Sequence, residues 1–131
     1  MSRLRKCRKD LEDSLIASGN CVHRCNAAIC HTAQRPALTL AQKRWIYELA
    51  MLKSFVALEV FLEVSFGLYV IGEKVPGHPK PQRITKVQGS LPRALQVLRG
   101  DKDFVGWNSP SVVTERAERW FRSGEPFRTA L

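Results

Sequence analysis

Ile46–Gly72 reads "IYELAMLKSFVALEVFLEVSFGLYVIG", and the interpretation of this stretch decides the fold. Wound as a helix of about 3.6 residues per turn, it is apolar nearly all round. Its length suffices to cross a bilayer. Four charges argue against that use: Glu48, Lys53, Glu59 and Glu63 lie inside it. Each costs about 2.5–3.5 kcal/mol near a bilayer centre. The segment is therefore expected to be a long central helix buried on most sides, with no membrane contact. Glu48, Glu59 and Glu63 fall within about 60° of one another on that helix. They form one acidic edge, expected to be solvated or paired with arginines of neighbouring helices.

Signals at both ends delimit this helix. Thr39-Leu40-Ala41-Gln42 has the form of a capping box, in which the threonine hydroxyl and the glutamine side chain each satisfy the other's amide. Gly72 supplies the stop. Upstream, apolar or small residues recur at Leu4, Leu11, Ser18 and Cys25, and again at Leu15, Val22 and Ile29. This seven-residue rhythm is that of a helical stripe, and it passes Gly19-Asn20 without losing phase. It predicts one helix over residues 3–34, ended by Pro36. The rival reading breaks it into two helices at Gly19-Asn20.

Downstream, residues 73–90 are rich in proline, glycine and basic residues and read as a long loop with a brief extended piece at Arg83–Val87. Ser90 is expected to cap a short helix, "LPRALQVLR", that stops at Gly100. A turn-like link carries Trp107, and Ser109-Pro110 opens a further helix ending at Gly124. Val113, Ala117 and Trp120 make its inner stripe; Glu115, Arg116, Glu118, Arg119 and Arg122 its outside. The fold expected is an all-α helical bundle of about four helices: a long N-terminal helix, a long buried central helix and two shorter C-terminal helices. A single domain spans residues 1–131. The ending "EPFRTAL" lacks a cap or tail, so the domain reads as a fragment of a longer one.

The net charge is +9 and the sequence pI about 9.9. A domain this basic commonly meets a polyanion. The charge is unevenly placed: no acid occurs between Asp13 and Glu48, or between Glu73 and Asp101. The second gap holds Lys74, Lys80, Arg83, Lys86, Arg93 and Arg99. Of these, Lys74, Lys80, Arg83, Lys86 and Arg93 are the candidate nucleic-acid contacts. Arg3, Arg5, Lys6, Arg8 and Lys9 form another basic block at the start. The cysteines Cys7, Cys21, Cys25 and Cys30 follow a charged N-terminus with no apolar leader, which points to a reducing cytoplasm and free thiols.

Residues 23–31, "HRCNAAICH", concentrate potential chemistry. On a helix Cys21 and Cys25 share a face, but Cys30 is turned about 140° and His23 about 160° from Cys25. Ligands to a tetrahedral zinc must converge, so no metal site is expected here. Arg24 and His31, two helical turns apart, do share a face. A guanidinium beside an imidazole is suited to RNA cleavage: histidine moves the proton of the ribose 2′-hydroxyl, and arginine steadies the phosphate charge. The bland alternative is a solvated pair flanking the helical seam.

"LKSFVALEVFLEVSF", residues 52–66, resembles the core helix of HEPN domains, closest in character to the RiboL-PSP-HEPN group. The resemblance spans about residues 40–127, including "WNSPSVVTERAERWF" at 107–121, and rests on pattern. It implies a small all-α fold, a homodimer, no cofactor, and metal-independent RNA cleavage of the toxin–antitoxin or antiviral-defence kind. The family's motif is an arginine and, a short spacer later, a histidine. Arg24 and His31 satisfy the spacing as candidate catalytic residues. They depart in lying before the core helix, and in having Cys25 after the arginine. Three functions stand as expectations: an RNA-binding or RNA-cleaving possible ribonuclease; a non-catalytic helical module for dimerisation or for a helical partner protein; and a sequence-nonspecific nucleic-acid binder. No Ser-His-Asp set, Walker loop, dinucleotide fingerprint or zinc knuckle is present in the sequence.

Overall fold

The computed structural model describes residues 2–30, 38–73, 81–84, 87–100, 106–107 and 109–130, with side chains described except at 28–30 and 129–130. The chain is all-α. Helix α1 spans Arg3–Cys30, α2 Leu40–Ile71, α3 Leu91–Arg99 and α4 Pro110–Trp120. A 3-10 turn at Arg122–Gly124 and a single turn, α5, at Phe127–Ala130 follow. Among the described residues there is no strand, only an isolated antiparallel bridge between Arg83 and Phe121. Two compact units can be distinguished: Met1–Arg8 with Leu58–Leu131, and Lys9–Ala57.

Helix α1 runs unbroken through Gly19-Asn20, as its phase requires. Leu4, Cys7, Leu11, Ser14, Ser18, Val22 and Cys25 are its buried or half-buried positions, a seam repeating every three or four residues. The first rhythm, Leu4–Leu11–Ser18–Cys25, lies wholly in this seam. The second does not, because Leu15 is 45% exposed. The expected last turn, residues 31–34, lies outside the described residues.

At the start of α2, the Thr39 amide donates to Gln42 Oε1 at 2.8 Å and the Gln42 amide to Thr39 Oγ1 at 3.2 Å. This is the reciprocal capping box. Thr39→Ala is expected to lower stability by about 1 kcal/mol in urea denaturation, with the helix intact by circular dichroism. An unchanged midpoint would mean that the helix start is fixed by other contacts.

The other end of α2 shows how the first unit is tied together. Gly72 adopts φ +84°, a conformation that favours glycine. Its amide donates to the Tyr69 carbonyl at 2.9 Å, and the Glu73 amide to the Leu68 carbonyl at 2.9 Å. This is a Schellman ending. The Val70 carbonyl accepts instead from the Arg83 guanidinium at 2.9 Å. Glu73 then turns to the start of α1: its carboxylate accepts the Arg3 backbone amide at 3.0 Å and the Arg3 side chain at 2.9 Å. A carboxylate at a helix N-terminus satisfies an orphan amide and opposes the positive end of the helix dipole.

The core of this unit forms around the last third of α2. Phe66, Val70, Leu98, Trp107, Val113, Ala117, Phe121 and Phe127 make one buried cluster. Phe66 is central, its ring 4.5 Å from Phe127 and 5.1 Å from both Trp107 and Phe121. Tyr69 meets Phe127 edge-on, and burial pushes its phenol above the ordinary value. Helix α3 crosses α2 at Gly67, where an added Cβ would lie 2.7 Å from Leu91 and 2.9 Å from Leu95. A side chain at that position would have to displace the tips of both leucines. Glu63 of the acidic edge pairs with Arg99 of α3 at 2.8 Å, as expected of such an edge, and raises the already high arginine value.

Three expectations need correction. Ser90 occupies the N-cap position of α3, but its side chain makes no cap hydrogen bond. Helix α4 ends at Trp120, not Gly124, because Phe121 turns extended. There the Ile84 amide reaches the Trp120 carbonyl at 2.9 Å and the Arg122 amide the Gln82 carbonyl at 2.7 Å. Phe121 is fully buried as a result. Arg116, expected on the outside, is half-buried: it donates to the Leu98 carbonyl near the end of α3 and lies 5.5 Å above the Trp107 ring.

The largest departure concerns α2 itself, which is not buried on most sides. Its buried residues are Ala50, Ser65, Phe66, Gly67, Leu68 and Val70, nearly all at the C-terminal end. Among the described residues of the unit Lys9–Ala57, the buried positions are the small Ser18, Cys25 and Ala50. The serine hydroxyls back-bond to helix carbonyls, Ser18 to Ser14 at 3.0 Å and Ser54 to Ala50 at 2.9 Å. Tyr47 donates to the Asn26 side chain. The large apolar residues of this part of α2 are left outside. Periodicity identifies a helix with no polar face; it does not say what covers each face.

Candidate functional site

The feature that departs most from a closed soluble fold is the first half of α2. Leu40, Trp45, Tyr47, Leu49, Met51, Leu52, Phe55 and Val56 are all exposed within the unit Lys9–Ala57. Isolated surface leucines are ordinary, whereas a contiguous series on one helix marks a contact surface. Trp45, Leu49, Leu52 and Val56 follow a spacing of four, three and four, and so fall within about 60° of one another. They are 68%, 64%, 59% and 50% exposed.

Charges border this stripe. Glu48 accepts from Arg44 at 2.8 Å, an exposed pair one helical turn apart that adds little stability. Lys53 is exposed on the opposite border. Further along the same line come Glu59 and Glu63, where the apolar stripe ends. Glu59 Oε1 is buried without a hydrogen-bond partner among the described residues. By length and composition, α2 is also the one described helix apolar enough to cross a membrane; 28% of its most apolar window is buried.

The residues singled out for catalysis and for nucleic-acid binding are distributed as follows. Arg24 is exposed on α1. His31 lies outside the described residues, so the structure gives no geometry for the pair. Lys74, Lys80 and Lys86 also lie outside them. Arg93 is exposed on α3. Arg83 is half-buried, with its guanidinium directed at the Val70 carbonyl and closing α2. Among the described residues, no group of three or more His, Cys, Asp or Glu is placed to hold a metal. His23 and Cys21 are exposed and Cys25 is buried.

The basic side chains thus divide into two sets. Arg3, Arg83, Arg99 and Arg116 are engaged inside their unit, on Glu73, Val70, Glu63 and Leu98. Arg5, Lys6 and Lys9 on α1 and Arg119 on α4 are exposed, as is Arg122, which also donates to Gln82 Oε1 at 3.4 Å. The high net charge is partly structural, because guanidinium groups here close helix ends and pair with carboxylates.

No protein-family model, curated protein or solved structure matches this chain. The fold therefore defines an all-α protein whose exposed apolar helix face is its most prominent surface feature, and the likeness to HEPN domains rests on sequence pattern alone.

Proposed function

We propose that this chain is a non-catalytic helical module that acts by association, its α2 face from Leu40 to Val56 being covered by another protein chain. The carrying observation is the exposure of Trp45, Leu49, Leu52 and Val56 in one line, bordered by charge. Fully covering a large aliphatic side chain contributes about 1.5–3 kcal/mol, so covering the exposed parts of Leu49, Leu52 and Val56 together with the Trp45 ring supplies a driving force for association. The bordering charges would set partner and orientation.

The test is a double substitution, Leu49→Glu with Leu52→Glu. Both positions are largely solvated, so the melting temperature is expected to stay within a few degrees. Self-association or binding of an apolar fluorescent dye by the unmodified chain is expected to disappear in the variant. A parent chain that is monomeric by light scattering and binds no dye would refute the association reading.

A second reading, RNA or another polyanion as partner, is supported by the exposed Arg5, Lys6 and Lys9, with Arg93 on α3. Phosphate-dominated binding weakens steeply with salt. Fluorescence anisotropy with labelled RNA is expected to show that slope, and an affinity flat in salt would exclude this contact. The catalytic form of the reading assigns phosphate binding to Arg24 and proton transfer to His31. His31→Ala would then abolish cleavage without moving the melting temperature, and undiminished cleavage would end the assignment.

A further inference from the structure

We infer that the occupant of the α2 face is a second copy of this chain, packed parallel to the first along Trp45–Leu49–Leu52–Val56. The inference rests on the association reading above and names its partner. Spacing is the first ground. The four residues occupy alternate d and a positions of a heptad repeat: Trp45 and Leu52 at d, Leu49 and Val56 at a. Val56 at a beside Leu52 at d is the pairing that favours two parallel strands.

Charge complementarity is the second ground. In this register Glu48 takes a g position and Lys53 the e position that follows it. In a parallel pair, a g residue meets the partner's e residue five positions later, so Glu48 faces Lys53 of the partner subunit, twice by symmetry. Antiparallel packing brings g to g and e to e, which sets neither of these charges against its opposite. Both side chains are exposed, and the Arg44 pair that Glu48 makes within its own helix is a weak, solvated one.

The seam is also bounded. The next a position is Glu63, whose carboxylate is already taken by Arg99 of α3, so the free face ends there. A short seam gives a weak, concentration-dependent dimer. Lipid fits the same face less well, because Lys43, Arg44, Glu48 and Lys53 all lie within the segment that would be immersed.

The experiment is sedimentation velocity on the full chain over a concentration series, with Glu48→Lys and Lys53→Glu variants alone and mixed. The parent is expected to dimerise. Each variant alone sets like charges together and is expected to weaken the dimer about tenfold. An equimolar mixture restores opposite charges at both contacts and is expected to recover parental affinity. A dimer indifferent to both substitutions, or one that mixing does not restore, overturns the parallel arrangement. A strict monomer overturns the second copy as occupant. If that monomer still binds apolar dye through Leu49 and Leu52, the association reading survives; if it binds none, both fall. Flotation of a monomeric chain with phosphatidylcholine vesicles would assign the face to lipid and likewise overturn the inference.

Discussion

Phe66→Ala is expected to destabilise the protein by about 3–5 kcal/mol, a large part of the total stability of a domain this size. The side chain is fully buried, and its ring contacts Trp107, Phe121 and Phe127, which come from the link before α4, the residue after it, and α5. Removing it deletes the point where three separate pieces of chain meet α2. The resulting cavity would be lined by rings held in place by one another, which limits relaxation. Leu52→Ala, on the same helix but 59% exposed, serves as the control and, at protein concentrations low enough to keep the chain monomeric, is expected to change stability by no more than about 0.5 kcal/mol. Urea denaturation of both variants checks the contrast. A Phe66→Ala loss below about 1 kcal/mol would mean that the aromatic cluster does not hold this unit together.

The contrast between these two positions shows what the sequence makes legible. Helix existence was readable wherever a local device defined it. The heptad phase carried α1 through Gly19-Asn20, Thr39 and Gln42 marked where α2 begins, and Gly72 marked where it ends. Each device acts within a few residues of itself. What the pattern of Ile46–Gly72 does not encode is cover. Leu52 and Phe66 are both large apolar residues on one helix, and only the chain's later return at Trp107, Phe121 and Phe127 makes one of them core.

Long-range polar contacts were hidden for a related reason. Arg83 and Arg116 look like surface charge in sequence, yet they satisfy the carbonyls of Val70 and Leu98 from 13 and 18 residues away. The early end of α4 has the same origin, since Phe121 turns extended where Ile84 and Gln82 offer backbone partners to its neighbours Trp120 and Arg122. The candidate site was visible in part: the spacing of Trp45, Leu49, Leu52 and Val56 stands in the sequence, but within an all-apolar run it could not be told from a core stripe.

Gly72→Ala is expected to cost about 2–5 kcal/mol, more than its small change in volume suggests. Two effects add. A residue with a Cβ pays about 1–2 kcal/mol to hold the left-handed conformation that Gly72 adopts at φ +84°. The added methyl would also lie 2.7 Å from Arg83 Cζ and 2.8 Å from both terminal nitrogens. The guanidinium must move, and the Val70 carbonyl, which ends α2 beside the core, loses its donor at 2.9 Å. An acceptor left without a partner in such a place costs about 1–3 kcal/mol. Arg83→Met separates the two effects. It removes the donor while keeping much of the packing of the stem, and is expected to cost about 1–3 kcal/mol by itself. In the double variant the clash no longer has a victim, so only the backbone penalty is added, and the combined loss should fall short of the sum by about 1 kcal/mol or more. Strict additivity of the two substitutions in urea denaturation would show that Gly72 is required for its backbone conformation alone, and that the guanidinium has another place to go.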